Sequence, residues 1–298
     1  MIKETAAADL SGFLNILKPP GMTSHDVVSF VRHILHMKKV GHAGTLDPGA
    51  AGVLPVAVGT ATRLLEYLEL SGKSYRAEML LGVATDSGDD TGEVIASRTD
   101  FIMPDREKIE AVLENFRGNI RQVPPAHSAI KIAGRRACDM ARAGENVDMP
   151  VREVCISKLE LLSIGQNSLL LDIDCSKGTY IRSLCADIGE ALGIPATMSF
   201  LVRRRVGAFM LPDTVSLEEL AEYGSKVLLR PELFLGHLPR YDLRRGRRKA
   251  FCNGLATIER NLAEDAEDLR VYAEGEFLGI GSYDVAKQVV NARKVIVQ

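Results

Sequence analysis

The chain has 298 residues, 46% of them hydrophobic and 26% charged, with a formal net charge of −2. That composition supports a folded core and excludes a disordered chain, and the near-neutral balance argues against a protein that coats nucleic acid indiscriminately. No apolar run reaches the roughly 20 residues of a membrane helix and the first nine residues carry no signal-peptide pattern, so a cytoplasmic protein without a membrane partner is expected.

Residues 12–17 are apolar and stop at Lys18-Pro-Pro-Gly21, a short strand closed by a turn. Thr23 or Ser24 stands where a cap would open a helix, with Val27, Val28, Phe30, Val31, Ile34 and Leu35 on its apolar face. Gly41 to Gly59 is glycine-rich. A helix is predicted over 61–70, a strand over 73–82, a polar turn-rich loop over 86–92 and a helix over 104–116. Residues 123–150 mix Pro124-Pro125, glycines and basic residues with weak periodicity, and read as a long mobile excursion of the kind that often carries function. Strands are predicted over 154–164 and 168–175, a helix over 180–192 ending at Gly193-Ile-Pro195, a strand over 200–209 and a short helix over 217–223. Residues 231–239 read as a linker. Beyond it, 251–254, 269–272 and 277–281 suggest short strands and turns of a small all-β unit.

The five cysteines are odd in number, form no C-x-x-C pair and lie mostly in apolar stretches, which favours buried free thiols over disulfides or a metal. The six histidines have no metal-binding spacing, and no cofactor fingerprint appears. Basic residues cluster as Arg203-Arg-Arg205 and as Arg240, Arg244, Arg245, Arg247, Arg248 and Lys249. Either run is a solvated face or a local phosphate-binding surface.

The glycines at 41, 44, 49, 52 and 59 surround one acid, Asp47, followed by Pro48. A carboxylate on a glycine-permissive loop stiffened by proline is placed to meet a ligand that the backbone approaches closely. Neither G-x-x-x-x-G-K-S/T nor a strand-linked G-x-G-x-x-G is present, which argues against a nucleotide cradle. From spacing alone, Asp47 could equally stabilise a turn.

Read as a whole, Gly41-His-Ala-Gly-Thr-Leu-Asp-Pro-Gly-Ala-Ala-Gly-Val-Leu-Pro-Val56, with Gly59-Thr-Ala-Thr62 after it, closely resembles the catalytic motif of TruB-type pseudouridine synthases. Four further segments resemble that family in the same order: Lys18 to Ser24, Lys73 to Arg76, Pro124 to Lys131 with Gly134-Arg-Arg136, and Lys177 to Leu184. The resemblance is strong over about residues 12–210 and weak beyond.

It implies an α+β fold, a mixed and mostly antiparallel sheet flanked by helices, with a catalytic domain over 1–235 and a small PUA-like RNA-binding β domain over 239–298. The implied activity is isomerisation of a uridine within RNA, breaking the N1–C1′ bond and joining C5 to the same sugar carbon, with no net redox change and no cofactor. Asp47 would be the ionised catalytic carboxylate, Arg182 the charge that orients it, and Tyr75 the active-site tyrosine acting near C5. Tyr180 would stack on the flipped base, His42 would wedge into the vacated loop, and Leu201 and Lys18 would wall the pocket. The 123–150 excursion resembles the RNA-gripping thumb of the bacterial enzymes, with Lys131, Arg135, Arg136 and Arg142 on phosphates. Cys138 departs from the tyrosine usual there. The thumb favours the stand-alone bacterial type, whose target is uridine 55 in the T loop of tRNA, acting as a monomer without guide RNA or obligate protein partner.

Two rival readings stand beside it. Asp172-x-Asp174 after Leu169-Leu-Leu171 would suit a magnesium-dependent phosphatase, although alternation explains it as a half-buried strand with a wet acidic face. An RNA chaperone would use the same cleft without turnover.

Overall fold

In the computed structural model, which describes residues 10–69, 72–128, 130–145, 147–259 and 262–297, the motifs above lie on and around one large mixed sheet. In chain order its strands and neighbours are β1 (Gly12–Lys18), α1 (Ser24–Leu35), β2 (Val40–His42), β3 (Ala51–Val58), α2 (Leu65–Glu69) and β4 (Lys73–Leu81). A small hairpin follows, β5 (Val83–Thr85) with β6 (Val94–Ser97), then α3 (Arg106–Glu114) and β7 (Gly118–Gln122). The excursion contains β8 (Lys131–Ile132), β9 (Arg135–Arg136) and α4 (Ala137–Arg142). The larger unit closes with β10 (Arg152–Ile164), β11 (Ser168–Cys175), α5 (Ile181–Leu192), β12 (Ala196–Val206), β13 (Phe209–Met210) and α6 (Leu217–Tyr223). Nine strands pair in the order β1-β3-β12-β4-β11-β10-β7, with β2 on β3 and β13 on β12, and β3–β12 is the parallel pair.

Burial decides the pattern along each strand. Both faces of β1 and β3 are covered, so they read as continuous apolar runs rather than alternating ones. Leu14, Ile16, Leu54 and Val56 meet Val27, Val31 and Leu220 of α1 and α6 on one face, while Phe13, Val53 and Ala57 meet Leu64, Phe209 and Leu235 on the other. β4 and β11 alternate, because Ala77, Met79, Leu171 and Ile173 pack on α3 and α5 while Arg76 and Asp172 stay on the open face. Thr23, not Ser24, caps α1, with the reciprocal bond from Asp26. Ser24 is thereby released for another use.

Three local expectations change. β12 starts at Ala196, because Ala196 and Met198 are buried partners of Leu81 and Met79, and the chain turns at Gly207 before β13. The segment 61–70 begins as a 3-10 turn over Gly59–Leu64. Residues 231–239 do not hang free: Pro231–Phe234 forms a 3-10 turn and Leu235 is fully buried, with Phe234 stacked on Phe209 at 3.7 Å between ring centroids.

The carboxy-terminal part is a five-stranded sheet, β14 (Arg240–Asp242), β16 (Ala266–Ala273), β17 (Glu276–Asp284), β18 (Val289–Val295) and β15 (Thr257–Ile258), in that spatial order. Between β14 and β15, Arg248–Cys252 is a short helix, α7, that runs into a turn at Asn253-Gly254. Its fully buried Phe251 packs inward from one side of that turn. Tyr272, Phe277, Ile280 and Ile296 join Phe13 and Leu64 in one core, so this sheet is docked on the larger unit.

Candidate active site

The loop joining β2 to β3, residues 43–50, is tied down on both limbs and leaves Asp47 at its apex. Arg203 reaches from β12 to donate to the carbonyls of Gly44 (3.1 Å) and Thr45 (3.3 Å). Ser24 accepts from the Leu46 amide at 2.9 Å and donates to its carbonyl at 3.1 Å. The Lys18 ammonium donates to the carbonyls of Pro48 (3.1 Å) and Ala50 (2.6 Å). The Asp47 carbonyl accepts from the Ala50 amide, which closes the turn. Fixing the backbone in this way leaves the carboxylate little freedom to leave the cleft, a hollow of about 520 Å³ lined by Asp47, Tyr75, Tyr180, Arg182, Leu201 and Arg203 among others.

Arg182 comes from the first turn of α5 and holds the carboxylate from one side, with Nε 3.1 Å from Oδ2 and Nη2 3.3 Å from Oδ1. Its guanidinium is itself oriented by the carbonyls of Ser87 and His127, both at 2.9 Å, and lies 3.6 Å from Asp89. A planar fork suits this division between two acids and two carbonyls. Burial pushes the Asp47 carboxyl above its ordinary range, and Arg182 works against that shift. Asp89 lies below its range despite burial, because Thr91 and Ser87 donate to it and Arg182 faces it. The site thus carries two carboxylates in different electrical settings, one stabilised and one held at a cost.

Tyr75 of β4 stands directly opposite Arg203 of β12, and the guanidinium acts on the phenol electrostatically. Burial pushes its phenol up to about 12, with Arg203 drawing it back, so Tyr75 is a neutral donor at pH 7. Tyr180 occupies the cap position of α5. The buried amide of Gln122 holds it by both backbone groups, accepting from Tyr180 N at 2.8 Å and donating to Tyr180 O at 3.0 Å. Leu201 follows on the cleft-facing side of β12. Asp47, Tyr75, Tyr180, Arg182 and Leu201, spread over more than half the chain, therefore line one cleft.

Other expected residues lie elsewhere. Lys18 is fully buried beneath the loop rather than walling the pocket, and burial followed by repulsion from Arg203 lowers its pKa to about 8. His42 ends β2 outside the residues lining the cleft, its Nδ1 buried without a hydrogen-bond partner among the described residues, and burial lowers its pKa. In the excursion, Lys131 pairs with Arg136 across a two-residue turn, Ala133-Gly134, whose positive φ values of 48° and 85° suit a tight hairpin. Directly opposed residues share a face, so Lys131 and Arg136 present their exposed charges together. Arg135 points to the other face and is held bidentately by Glu145 at 2.9 and 2.7 Å. Arg142 ends α4, and its side chain lies outside the described residues. Cys138 lines the cleft.

The Arg203-Arg-Arg205 run is not one phosphate-binding face. Arg203 is buried, Arg204 bonds Asp172 at 2.7 Å on the opposite face of the sheet, and Arg205 bonds Ser74 at 2.8 Å. Asp172 is further held bidentately by Arg76 at 2.8 and 3.1 Å, so the Asp172-x-Asp174 pair is engaged by guanidinium groups rather than open to magnesium. In the carboxy-terminal basic run, Arg240, Arg244 and Arg248 are likewise in ion pairs, while Arg245, Arg247 and Lys249 are exposed. Asp89 and Gln122 escaped the sequence reading, and Arg203 was read only as part of a basic run. The only signal for Asp89 was its place in a polar, turn-rich loop.

A half-buried, arginine-held carboxylate on a clamped loop, sharing the cleft of a mixed sheet with two tyrosines, defines a pseudouridine synthase by fold and site. A solved H/ACA RNP bound to a substrate RNA containing 2′-deoxyuridine is similar over 98% of this chain and 86% of that one, with a TM-score of 0.74 and 27% identity. A solved Cbf5-Nop10-Gar1 complex is similar over 99% and 87%, with a TM-score of 0.73 and 30% identity. Residues 32–181 match the TruB family pseudouridylate synthase N-terminal domain, and residues 182–231 match the tRNA pseudouridylate synthase B C-terminal domain. The tRNA pseudouridine synthase B of Heliobacterium mobile is 44% identical over 278 residues, covering 91% of this chain and 90% of that protein. That of Clostridioides difficile strain 630 is 40% identical over 296 residues, covering 95% and 98%. The chain belongs to the TruB family of pseudouridylate synthases.

Proposed function

We propose that this protein converts uridine 55 in the T loop of tRNA to pseudouridine without a guide RNA, acting as a cytoplasmic monomer. The observation that carries this reading is the Asp47 carboxylate, fixed at the loop apex and paired with Arg182 at 3.1 Å inside a cleft large enough for a nucleotide. A uracil in a folded loop must be extruded before any side chain reaches its glycosidic bond, at an unstacking cost of a few kcal/mol that aromatic contacts offset. Tyr180 supplies such a contact, and Leu201 closes the apolar wall.

Within the closed cleft Asp47 meets the ribose and base as an anion while Arg182 keeps it ionised and aimed. The N1–C1′ bond breaks, the uracil turns, and C5 bonds to C1′. The proton then leaves C5 and one is gained at N1, so atoms and electrons balance without an oxidant, reductant or hydrolytic water. Tyr75, beside the ring, serves the C5 proton. The relatives named tRNA pseudouridine synthase B support tRNA as the substrate. The Lys131–Arg136 hairpin supports a thumb that holds phosphates, and the docked carboxy-terminal sheet, with Arg245, Arg247 and Lys249 exposed, supports a PUA-like RNA contact.

The test is tritium release from C5-labelled, unmodified tRNA without any guide, comparing wild type, Asp47→Ala and a transcript with cytidine at position 55. Product is expected from wild type on the normal transcript alone, with tRNA binding retained by Asp47→Ala. Equal product from both proteins would remove Asp47 from the chemistry. Binding without product from either would favour the chaperone reading.

A further inference from the structure

Among the described residues Arg203 is the largest fully buried side chain, and no carboxylate forms an ion pair with it. A desolvated guanidinium without a counter-ion is costly, and an apolar residue of similar volume would serve the core better. Its donors are instead spent on elements that build the cleft. Nε donates to Val53 O of β3 at 2.8 Å, Nη1 and Nη2 to Thr45 O and Gly44 O, and the guanidinium also acts electrostatically on Tyr75, its partner across β4. Asp47 is the anion that acts on it through space.

The backbone is arranged to bring it there. Gly52 pairs with Arg203 where β3 and β12 run parallel, at a φ of +113°, and a Cβ at Gly52 would lie 2.2 Å from the Arg203 carbonyl oxygen. The two strands approach closely because residue 52 has no side chain. From that contact one planar group spans β3, the entry limb of the Asp47 loop and β4.

We infer that Arg203 is a positioning residue for the isomerisation, setting the spacing between the Asp47 carboxylate and the Tyr75 hydroxyl by holding the loop and acting on the phenol from one guanidinium. The inference rests on the pseudouridine synthase reading of this cleft. Lysine at this position would keep the charge and lose the fork. Glutamine would lose both.

Arg203→Lys and Arg203→Gln are to be compared with wild type for melting temperature, tRNA Kd and the single-turnover rate constant from pH 5 to 9. Both variants are expected to fold and to bind tRNA within about threefold of wild type, while the rate constant of Arg203→Lys falls about 10- to 100-fold, as for a displacement near 1 Å. Arg203→Gln is expected to fall at least as far and to move its acid limb to higher pH, because Asp47 loses a cation that favours its ionised form. In a Tyr75→Phe background the loss caused by Arg203→Lys is expected to shrink, since one of the two positioned groups is already gone. A wild-type rate for Arg203→Lys would overturn the inference, as would unfolding of both variants or a rate loss matching the unfolded fraction. Wild-type protein that forms no product from tRNA would instead sink the function reading.

Discussion

Replacing Arg182 with methionine keeps the length of the side chain and removes the charge that faces Asp47. At 3.1 Å, opposite unit charges interact by about 5 kcal/mol at an effective dielectric of about 20. The Asp47 side chain is 35% exposed, and discounting that figure by about half for solvent screening leaves about 2–3 kcal/mol. Divided by 1.36 kcal/mol per pH unit, this is a rise of about two units in the Asp47 carboxyl, added to the rise that burial already imposes. The ionised form is the active one, so the acid limb of the pH–rate profile moves to higher pH by about that amount. The assay is single-turnover tritium release at saturating tRNA from pH 5 to 9, well below the melting temperature. That temperature must be kept low because the Ser87 and His127 carbonyls lose their donor as well, at about 1–3 kcal/mol each. Arg182→Lys, which keeps the charge in a different shape, should shift the limb less. An acid limb within about half a unit of wild type in Arg182→Met would refute electrostatic control of Asp47 by this pair.

Gly52→Ala is expected to cost more than about 3 kcal/mol in denaturant titration, because its Cβ would overlap the Arg203 carbonyl at 2.2 Å in a left-handed conformation. Asp172→Asn should lower stability by about 1–2 kcal/mol through the Arg76 and Arg204 pairs and leave pseudouridine formation unchanged, whereas loss of activity would revive a role for that acidic pair. Lys131→Ala and Arg136→Ala should each reduce the slope of log Kd against log salt by about 0.7–0.9, as fluorescence binding titrations would record. Arg135→Ala should change that slope less, because Glu145 already neutralises Arg135; an equal effect would show that RNA displaces the pair.

Local chemistry was legible in the sequence by itself. The strand at 12–17, the capped helix after Thr23, the strands over 73–82 and 168–175 and the helix ending at Gly193 all follow from patterns spanning a few residues, and each is present. The loop motif, the two tyrosines and Arg182 were picked out through the family resemblance, and the fold brings them to one cleft. What burial and pairing decide could not be read that way. Three consecutive arginines look alike in sequence, yet a one-residue step along a strand reverses the face of the sheet. Pairing of β12 with Tyr75 on one side and Gly52 on the other puts Arg203 under the catalytic loop and Arg204 on the outer face. Lys18 sits in a recognisable turn, and only the fold over it turns a solvent-seeking ammonium into a buried clamp for Pro48 and Ala50. Asp89 and Gln122 acquire partners in Arg182 and Tyr180 that lie far away in the chain. The acid and its companions were therefore written locally, while the groups that hold them in register were chosen by contacts that exist only once the sheet has closed.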